Sequence, residues 1–367
     1  MHRVDPGMCT CMVIVLAACD SPRVAPDPPP TPPPVAVPPA APPAEPPPPP
    51  APPWLDITTN DAAWVAFRGD DVVMVARTQA GLGEYAAATG ALRAEYPAPQ
   101  YAGAPAAWSA SARLLAFTVD DGVLLRALDG GAPDRTLAFT GPSALAFSPT
   151  GDRLVATRSE AGVVPRAEVF DTTTGRVRAR LQPFGKRRLD YDTGFRLVPA
   201  FVGADRLALL LANDTPSEAH LAFGPMNKAS AWTRFELPPA DDDEGGVAPS
   251  LGLALAVSPD GATIAAGDLG GQVFLHEPAT GRPPTAIAVP GGDVTALAFA
   301  PTGAWLAAAA DDGTLTVLAI PSRTRLAELD APADCEALAV SPDVRRLAGA
   351  CDEVVRIWDV TWSNPPR

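Results

Sequence analysis

The sequence predicts an all-β fold, a seven-bladed β-propeller with four strands in each blade. Three observations predict it: a repeated strand-turn-strand unit, a spacing of about 40 residues between units, and an extra strand before the first unit that supplies the strand missing from the last unit. The clearest copies of the unit are ALAFSPTGDRLVATRS from residue 144, ALAVSPDGATIAAGDL from 254, ALAFAPTGAWLAAAAD from 296 and ALAVSPDVRRLAGACD from 337. In each copy an alternating apolar strand leads through a Ser-Pro-Asp-Gly type of turn into a second apolar strand.

Weaker copies begin near residues 62, 105 and 196, which brings the number of units to seven. The last apolar residue before each turn marks the unit, and the markers are Phe67, Trp108, Phe147, Phe201, Val257, Phe299 and Val340. Successive markers are 39 to 56 residues apart, which leaves room for four strands per unit.

The last unit lacks a fourth strand of its own. It ends with EVVRIWDV from residue 353. In contrast, PWLDITT from residue 53 is an apolar strand that precedes the first unit and belongs to none of the seven. We therefore expect residues 54–58 to form the outermost strand of the last blade and to close the ring.

Over residues 54–362 the chain resembles the WD-repeat β-propeller family. The matching motifs are RIWDV at 356–360, DDG at 311–313 and the Ser-Pro-Asp-Gly type turns. The Gly-His dipeptide of the family is absent, since the histidines are His2, His220 and His276, so the family's buried Asp-His-Ser-Trp tetrad cannot assemble as usual. The resemblance implies a scaffold that binds proteins.

The N-terminus predicts an export signal. Met8 to Ala18 is uncharged and far shorter than the roughly 20 residues of a spanning helix. Leu16, Ala17, Ala18 and Cys19 resemble the cleavage box of bacterial lipoproteins, which implies cleavage after residue 18 and acylation of Cys19. The alternative is an ordinary cleaved signal with an incidental cysteine.

Residues 19–53 are predicted to be a disordered linker, because 19 of the 45 prolines lie within 21–53 and proline donates no backbone hydrogen bond. The domain order is thus signal peptide (1–18), lipidated linker (19–53), propeller (54–362) and a short tail (363–367). We expect a monomeric propeller in the bacterial cell envelope, held to a membrane by lipid and facing the periplasm or the surface.

Composition and motifs argue against several other functions. The net charge of −14 disfavours nucleic acid as a partner. No Gly-x-Ser-x-Gly elbow or clustered His and Cys occurs, so we expect no enzyme, no catalytic residue, no cofactor and no metal site. Acidic loops at 190–194 and 241–246 offer oxygen ligands for calcium but do not complete the EF-hand spacing. The segment GLGEYAAATG from residue 81 is predicted to be a loop between strands.

Long insertions distinguish the third and fourth units and begin at residues 159, 182, 213 and 238. In the family's geometry all four project from one face of the ring, where binding loops are expected. The candidate partner-binding residues are Lys186, Arg187, Arg188, Tyr191, Phe195, Arg196, Asp241, Asp242, Asp243 and Glu244. Alternatively, the basic and acidic loops pair with one another.

Cys335 and Cys351 lie on neighbouring strands of the last unit. Pairing Val340 with Leu347 and counting back places Cys335 opposite Asp352, with the two thiols on opposite faces of the sheet. A register shift of one residue would bring them together in a disulfide, but we expect two buried thiols.

The function predicted from the sequence is therefore a membrane-anchored, non-enzymatic scaffold that binds a protein or peptide. The alternative is a small-molecule or enzymatic propeller, lactonase-like or quinone-dependent, that uses the central channel. A third hypothesis is a spacer that only assembles an envelope complex.

Overall fold

The structure is a computed structural model, and it describes residues 54–77, 81–96, 101–119, 122–130, 133–160, 163–184, 195–213, 219–237, 254–268 and 270–362. The described residues form antiparallel sheets arranged as seven four-stranded blades, which confirms the predicted fold class. Within these ranges no helix is long and apolar enough to cross a bilayer.

Blades 1 to 3 occupy the first half of the ring. Their strands, from the channel outward, are the second half of β1 (Trp54–Phe67), β2 (Val72–Arg77), β3 (Gly81–Ala86) and β4 (Leu92–Tyr96) in blade 1; β5 (Tyr101–Ser109), β6 (Leu114–Val119), β7 (Gly122–Ala127) and β8 (Arg135–Leu137) in blade 2; and β9 (Ala144–Phe147), β10 (Arg153–Glu160), β11 (Val163–Asp171) and β12 (Val177–Leu181) in blade 3.

Blades 4 to 7 complete the ring. Their strands are β13 (Phe195–Val202), β14 (Arg206–Asn213), β15 (Ala219–Pro225) and β16 (Thr233–Leu237) in blade 4, with a 3-10 turn at Ala229–Ala231; β17 (Leu255–Val257), β18 (Ile264–Gly267), β19 (Gln272–His276) and β20 (Thr285–Ala288) in blade 5; β21 (Val294–Phe299), β22 (Trp305–Ala310), β23 (Thr314–Ala319) and β24 (Arg325–Asp330) in blade 6; and β25 (Cys335–Val340) and β26 (Arg346–Asp359) in blade 7.

Blade 7 is closed by the N-terminal strand, as the sequence predicted. The first half of β26 pairs with β25, and its second half pairs with residues 54–58 of β1. Val360 N donates to Arg345 O, so the two halves of β26 are the second and third strands of the blade, joined by a tight reversal. Both ends of the propeller therefore lie in one blade.

Antiparallel alternation gives the ring two distinct faces. We call lower the face with the turns from first to second and from third to fourth strand, and upper the face with the remaining connections. The turns of the Ser-Pro-Asp-Gly type lie on the lower face, where Ser258 Oγ donates to Asp260 and accepts from Thr263 N at 2.9 Å. Gly261 has a φ of +71°, a conformation that favours glycine.

The core lies between blades, because the middle strands bury apolar side chains on both faces. Every residue of β22, WLAAAA, is buried. Polar side chains add bonds between blades: Thr157 Oγ1 donates to Leu197 O, and Thr295 Oγ1 donates to Cys335 O, both at 2.7 Å. The ring is thus held mainly by apolar contact and locally by buried hydrogen bonds.

The register of blade 7 corrects two expectations. Val340 does pair with Leu347, but a bulge at Glu336 makes Cys335 pair with Cys351 rather than with Asp352. The two sulfur atoms are bonded, so these residues are not free thiols. A bulge of this kind inserts one unpaired residue into a strand and shifts every pair beyond it.

The segment from residue 81 is also corrected, since Gly81–Ala86 forms β3, a buried strand. Gly83 lies against the ring of Tyr85, where a Cβ would come within 2.6 Å of a ring carbon. Glycine in this strand therefore makes room for an aromatic side chain rather than for a loop.

Candidate functional site

The upper face carries the connections that the sequence singled out as insertions. Residues 185–194, 214–218 and 238–253 lie outside the described residues, but the strands that flank them all end at this face. The connection near residue 159 is shorter than predicted. There β10 and β11 extend until Glu160 pairs with Val163, so most of that segment is strand.

The described start of the connection after β12 is anchored on blade 4. Arg234 Nε donates to Pro183 O at 2.6 Å. Phe184 is buried, and its ring centroid lies 6.3 Å from that of His220 on β15. The base of this connection is therefore fixed, although Lys186, Arg187, Arg188 and Tyr191 lie outside the described residues.

Two predicted partner-binding residues are described in part. Phe195 pairs with Asn213, which places the end of one upper connection beside the start of the next. Arg196 is exposed at the start of β13. Several other predicted site residues lie outside the described residues. They are the partner-binding candidates Asp241, Asp242, Asp243 and Glu244, the calcium candidates around them and at 190–194, and the lipidation candidate Cys19.

Arginines concentrate at the upper ends of blades 3 and 4. Arg158 and Arg166 are paired directly across β10 and β11. The guanidinium carbon of Arg166 lies 5.5 Å from the ring centroid of Phe139, within the range of a cation–π contact. With Arg196, three arginines lie at the upper ends of these blades, which also carry Glu160 and Glu236.

Blades 5 to 7 carry mainly acidic residues on the same face. Their upper connections, the start of β25 and the connection from blade 7 to blade 1 carry eight described carboxylates, which we call the acidic arc: Asp61, Asp268, Asp293, Asp311, Asp312, Asp334, Glu336 and Glu353. No lysine or arginine occurs in the described part of these connections. The arc was not predicted from the sequence, although the absence of basic residues from these connections was readable there.

Ion pairs are less frequent in the acidic arc than on the rest of the described surface. Fifteen described carboxylates outside the arc form ion pairs with arginine. Within the described structure no such pair forms at six members of the arc, which are Asp61, Asp268, Asp311, Asp312, Asp334 and Glu353. Most of the negative charge outside the arc is therefore neutralised locally, with Asp70, Glu236 and Asp260 as exceptions, whereas these six positions have no ion pair in the described structure.

Asp268 is the most buried member of the acidic arc, with 5% of its surface exposed. Its Oδ1 accepts from Gly270 N at 3.0 Å and from Gln272 N at 2.7 Å, whereas Oδ2 has no partner among the described residues. Burial raises the pKa of this carboxyl, because the charged form loses water and gains only backbone donors on one side.

Asp311 and Asp312 are held by backbone groups. Asp311 Oδ1 accepts from Asp293 N at 3.0 Å, and Asp312 Oδ1 accepts from Thr314 N at 2.7 Å. A Cβ at Gly291 would lie 2.4 Å from Asp312 Oδ1, so this glycine leaves room for the carboxylate. These side chains are fixed in place without any cationic partner in the described structure.

The central channel has a volume of about 510 Å³. Its lining side chains are mostly apolar and partly aromatic, with Trp64, Phe147 and Phe201 among them, and Glu336 is its one charged lining residue in the described part. The bulge in β25 is at Glu336. The register shift that pairs the two cysteines therefore also places the Glu336 carboxylate between the arc and the channel.

No group of three or more His, Cys, Asp and Glu side chains in the described ranges is arranged to hold a metal ion. His276 is buried, and neither ring nitrogen has a partner there. Its ring centroid lies 4.7 Å from Phe223 and 4.8 Å from Phe235, and burial lowers its pKa.

Comparison with known families identifies two repeats. The family model described as WD domain, G-beta repeat matches residues 286–317 and 323–359, and each match begins in the outer strand of one blade and continues into the next blade. No curated protein matches the chain. The chain is a seven-bladed β-propeller in which two segments match the WD40 repeat.

Proposed function

We propose that this chain is a non-enzymatic interaction scaffold of a bacterial cell envelope, anchored by lipid at Cys19, whose upper face binds a protein or peptide. The observation that carries the proposal is the arrangement of connections: the long ones all belong to the upper face of a rigid ring, and rigid scaffolds present binding residues on such loops. The WD40 repeats fit an interaction scaffold in general.

Two further observations support an envelope location. The bonded pair of Cys335 and Cys351 suits an oxidising compartment, since cytosolic thiols are kept reduced. The described chain enters the propeller at Trp54 on the lower face, the face opposite the long connections. A lipid on Cys19 with acylation of the new N-terminus would give firm anchoring, at about 0.8 kcal/mol per buried methylene.

A channel enzyme or small-molecule binder is less well supported. Such a site needs several convergent polar or titratable groups. The described channel wall supplies Glu336 alone among charged residues, against many apolar neighbours.

Proximity labelling from the anchored chain tests the binding face. The variant K186S/R187S/R188S removes three cations from an upper connection, and R176S/R282S/R345S removes three exposed cations from the lower turns. We expect the upper variant to lose labelled partners and the lower variant to keep them. Equal labelling profiles would contradict an upper binding face.

Anchoring is tested separately through Cys19. We expect Cys19→Ser to move the protein from the membrane fraction to the soluble fraction and to abolish incorporation of labelled palmitate. Retention of both in the variant would refute the anchor while leaving the binding face open to the labelling test.

A further inference from the structure

We propose that the acidic arc binds a positively charged segment of the partner, one that carries lysine or arginine beside small apolar residues. This inference rests on the proposed function, because it names the chemistry of the partner that the upper face takes. It adds a contact on blades 5 to 7 to the one proposed for the insertions of blades 3 and 4.

Charge compensation differs across the molecule. Most described carboxylates of the outer strands and lower turns pair with arginine, as in the pair of Arg356 and Asp56 at 2.7 Å. Six carboxylates of the arc have no such pair in the described structure. Members of the arc are also close neighbours, since Asp311 N donates to Asp293 O at 3.0 Å and Asp334 N donates to Asp311 O at 3.3 Å.

Carboxylates this close to one another add their fields, because screening at physiological salt acts over about 8 Å. A cationic segment is the complement of such a surface, and the attraction also speeds its encounter with the ring.

Asp268 adds an unsatisfied acceptor to the arc. This carboxyl is nine-tenths buried, and its Oδ2 lacks a donor among the described residues, which is costly unless a partner or water supplies one. Burial raises the pKa of the carboxyl, and a cation near the arc would favour its charged form. A positive ligand at the arc therefore gains free energy by Coulomb attraction, to which the charged form of Asp268 adds.

The carboxylates of blade 6 are pre-organised. Asp311 and Asp312 are already oriented by backbone donors, with Gly291 and Gly292 leaving the space they occupy. Fixed carboxylates lose little side-chain entropy when a cation binds. Glu336 then continues the negative surface to the apolar channel wall, which favours a segment that alternates basic and small apolar residues.

The test uses the full chain and a fluorescein-labelled ten-residue peptide of alternating lysine and alanine, with an alternating glutamate and alanine peptide as the charge control. The arc variant is D311N/D312N/D334N/E353Q, in which each new amide keeps an acceptor oxygen for the backbone donors. The matched variant D129N/D205N/E236Q/D359N changes the net charge equally at exposed positions away from the arc.

We expect the wild type and the matched variant to bind the lysine peptide equally and the arc variant to bind about tenfold more weakly or worse, since each exposed pair makes a modest contribution and four are lost. Binding should weaken as salt rises from about 20 to about 150 mM. Equal binding by all three proteins would overturn the proposal.

Two further measurements separate peptide recognition by the arc from ion binding and from recognition by the insertions. If calorimetry with calcium chloride alone shows one-to-one binding that the arc variant loses, while peptide binding is unchanged, the arc is a cation site and the proposal fails. If the arc variant keeps all partner labelling but K186S/R187S/R188S loses it, the proposed function stands and this inference falls. Loss of labelling in both variants supports both.

Discussion

Blade 7 and the interface between blades 4 and 5 are built by different means. In blade 7 both chain ends meet, a disulfide joins the first two strands, and Asp343 N donates to Asp70 Oδ1 of blade 1 at 2.8 Å. Between blades 4 and 5 the described residues share an apolar cluster, and no hydrogen bond or ion pair joins the two blades in that part of the structure.

The contrast shows where a closed ring needs reinforcement. Blades 4 and 5 are consecutive in the chain, so covalent continuity keeps them adjacent. Blades 7 and 1 are adjacent only because residues 54–58 pair with β26 across most of the sequence. Non-local closure has a larger entropy cost, and blade 7 holds the additional polar and covalent contacts that offset it.

Truncation provides the largest test of this comparison. A chain that begins at residue 59 loses the outer strand of blade 7 and should lose cooperative folding, because it exposes the edge of β26 and uncovers buried Ile357 and Trp358. A chain that begins at residue 54 keeps that strand and should unfold at the temperature of the whole protein. Thermal unfolding monitored by circular dichroism measures both. Equal stability of the two truncations would show that the closing strand is dispensable.

The disulfide gives the next largest expected effect. In blade 6 a bulge at Thr295 makes Val294 pair with Ala310, the positions that correspond to Cys335 and Cys351. The variant C335V/C351A therefore copies a pair that the ring already accommodates. We expect it to lose about 3 kcal/mol of unfolding free energy, the value for a closed loop of this length.

Denaturant unfolding with and without reductant measures this loss. Under oxidising conditions the wild type should have a higher free energy of unfolding than the variant. After unfolding and refolding in reductant, the free energy of unfolding of the wild type should fall to that of the variant. An unchanged midpoint in C335V/C351A would mean that the bond adds nothing to blade 7.

The sequence predicted what is local and periodic. Seven turn markers, four strands per unit and the closing role of residues 54–58 follow from alternation and turn chemistry, which each unit carries within itself. It failed where one residue changes the register. Bulges occur near the upper ends of three first strands, at Ala63, Thr295 and Glu336. No turn residue in the sequence predicts them.

The site was predictable only in outline. The upper face followed from topology, but the sequence-based choice of basic and acidic insertions overlooked the arc of blades 5 to 7. A carboxylate such as Asp312 looks like an ordinary turn residue in the sequence. Its significance comes from the lack of an arginine nearby, which is a property of the assembled ring.

His276 occupies a position that the other late blades fill differently. On the third strand it corresponds to Leu318 of blade 6, because the two residues pair with equivalent positions on the second strands of their blades. In blade 7 the corresponding residue is Trp358, whose Nε1 donates to Asp330 O at 3.1 Å. His276 has no such bond among the described residues and lies between two phenylalanine rings. The interface between blades 4 and 5 therefore contains a titratable ring without a hydrogen bond in the described structure, at a position where blade 7 has a hydrogen-bonded tryptophan.

The smallest expected effect is a pH dependence confined to that interface. Burial lowers the pKa of His276, and the charge of Arg206 acts in the same direction while that of Glu277 opposes it. The unfolded chain thus binds a proton more readily than the folded one, so stability is retained above about pH 6.5 and falls as the pH drops below it, by at most about 1.4 kcal/mol per pH unit. His276→Leu, which copies the leucine of blade 6, should remove this component and leave the other acid-sensitive groups unchanged. Unfolding free energies of both proteins at pH 7.5 and pH 5 measure it, and a wild-type loss no greater than that of the leucine variant would show that the blade 4 and 5 interface does not sense pH through this residue.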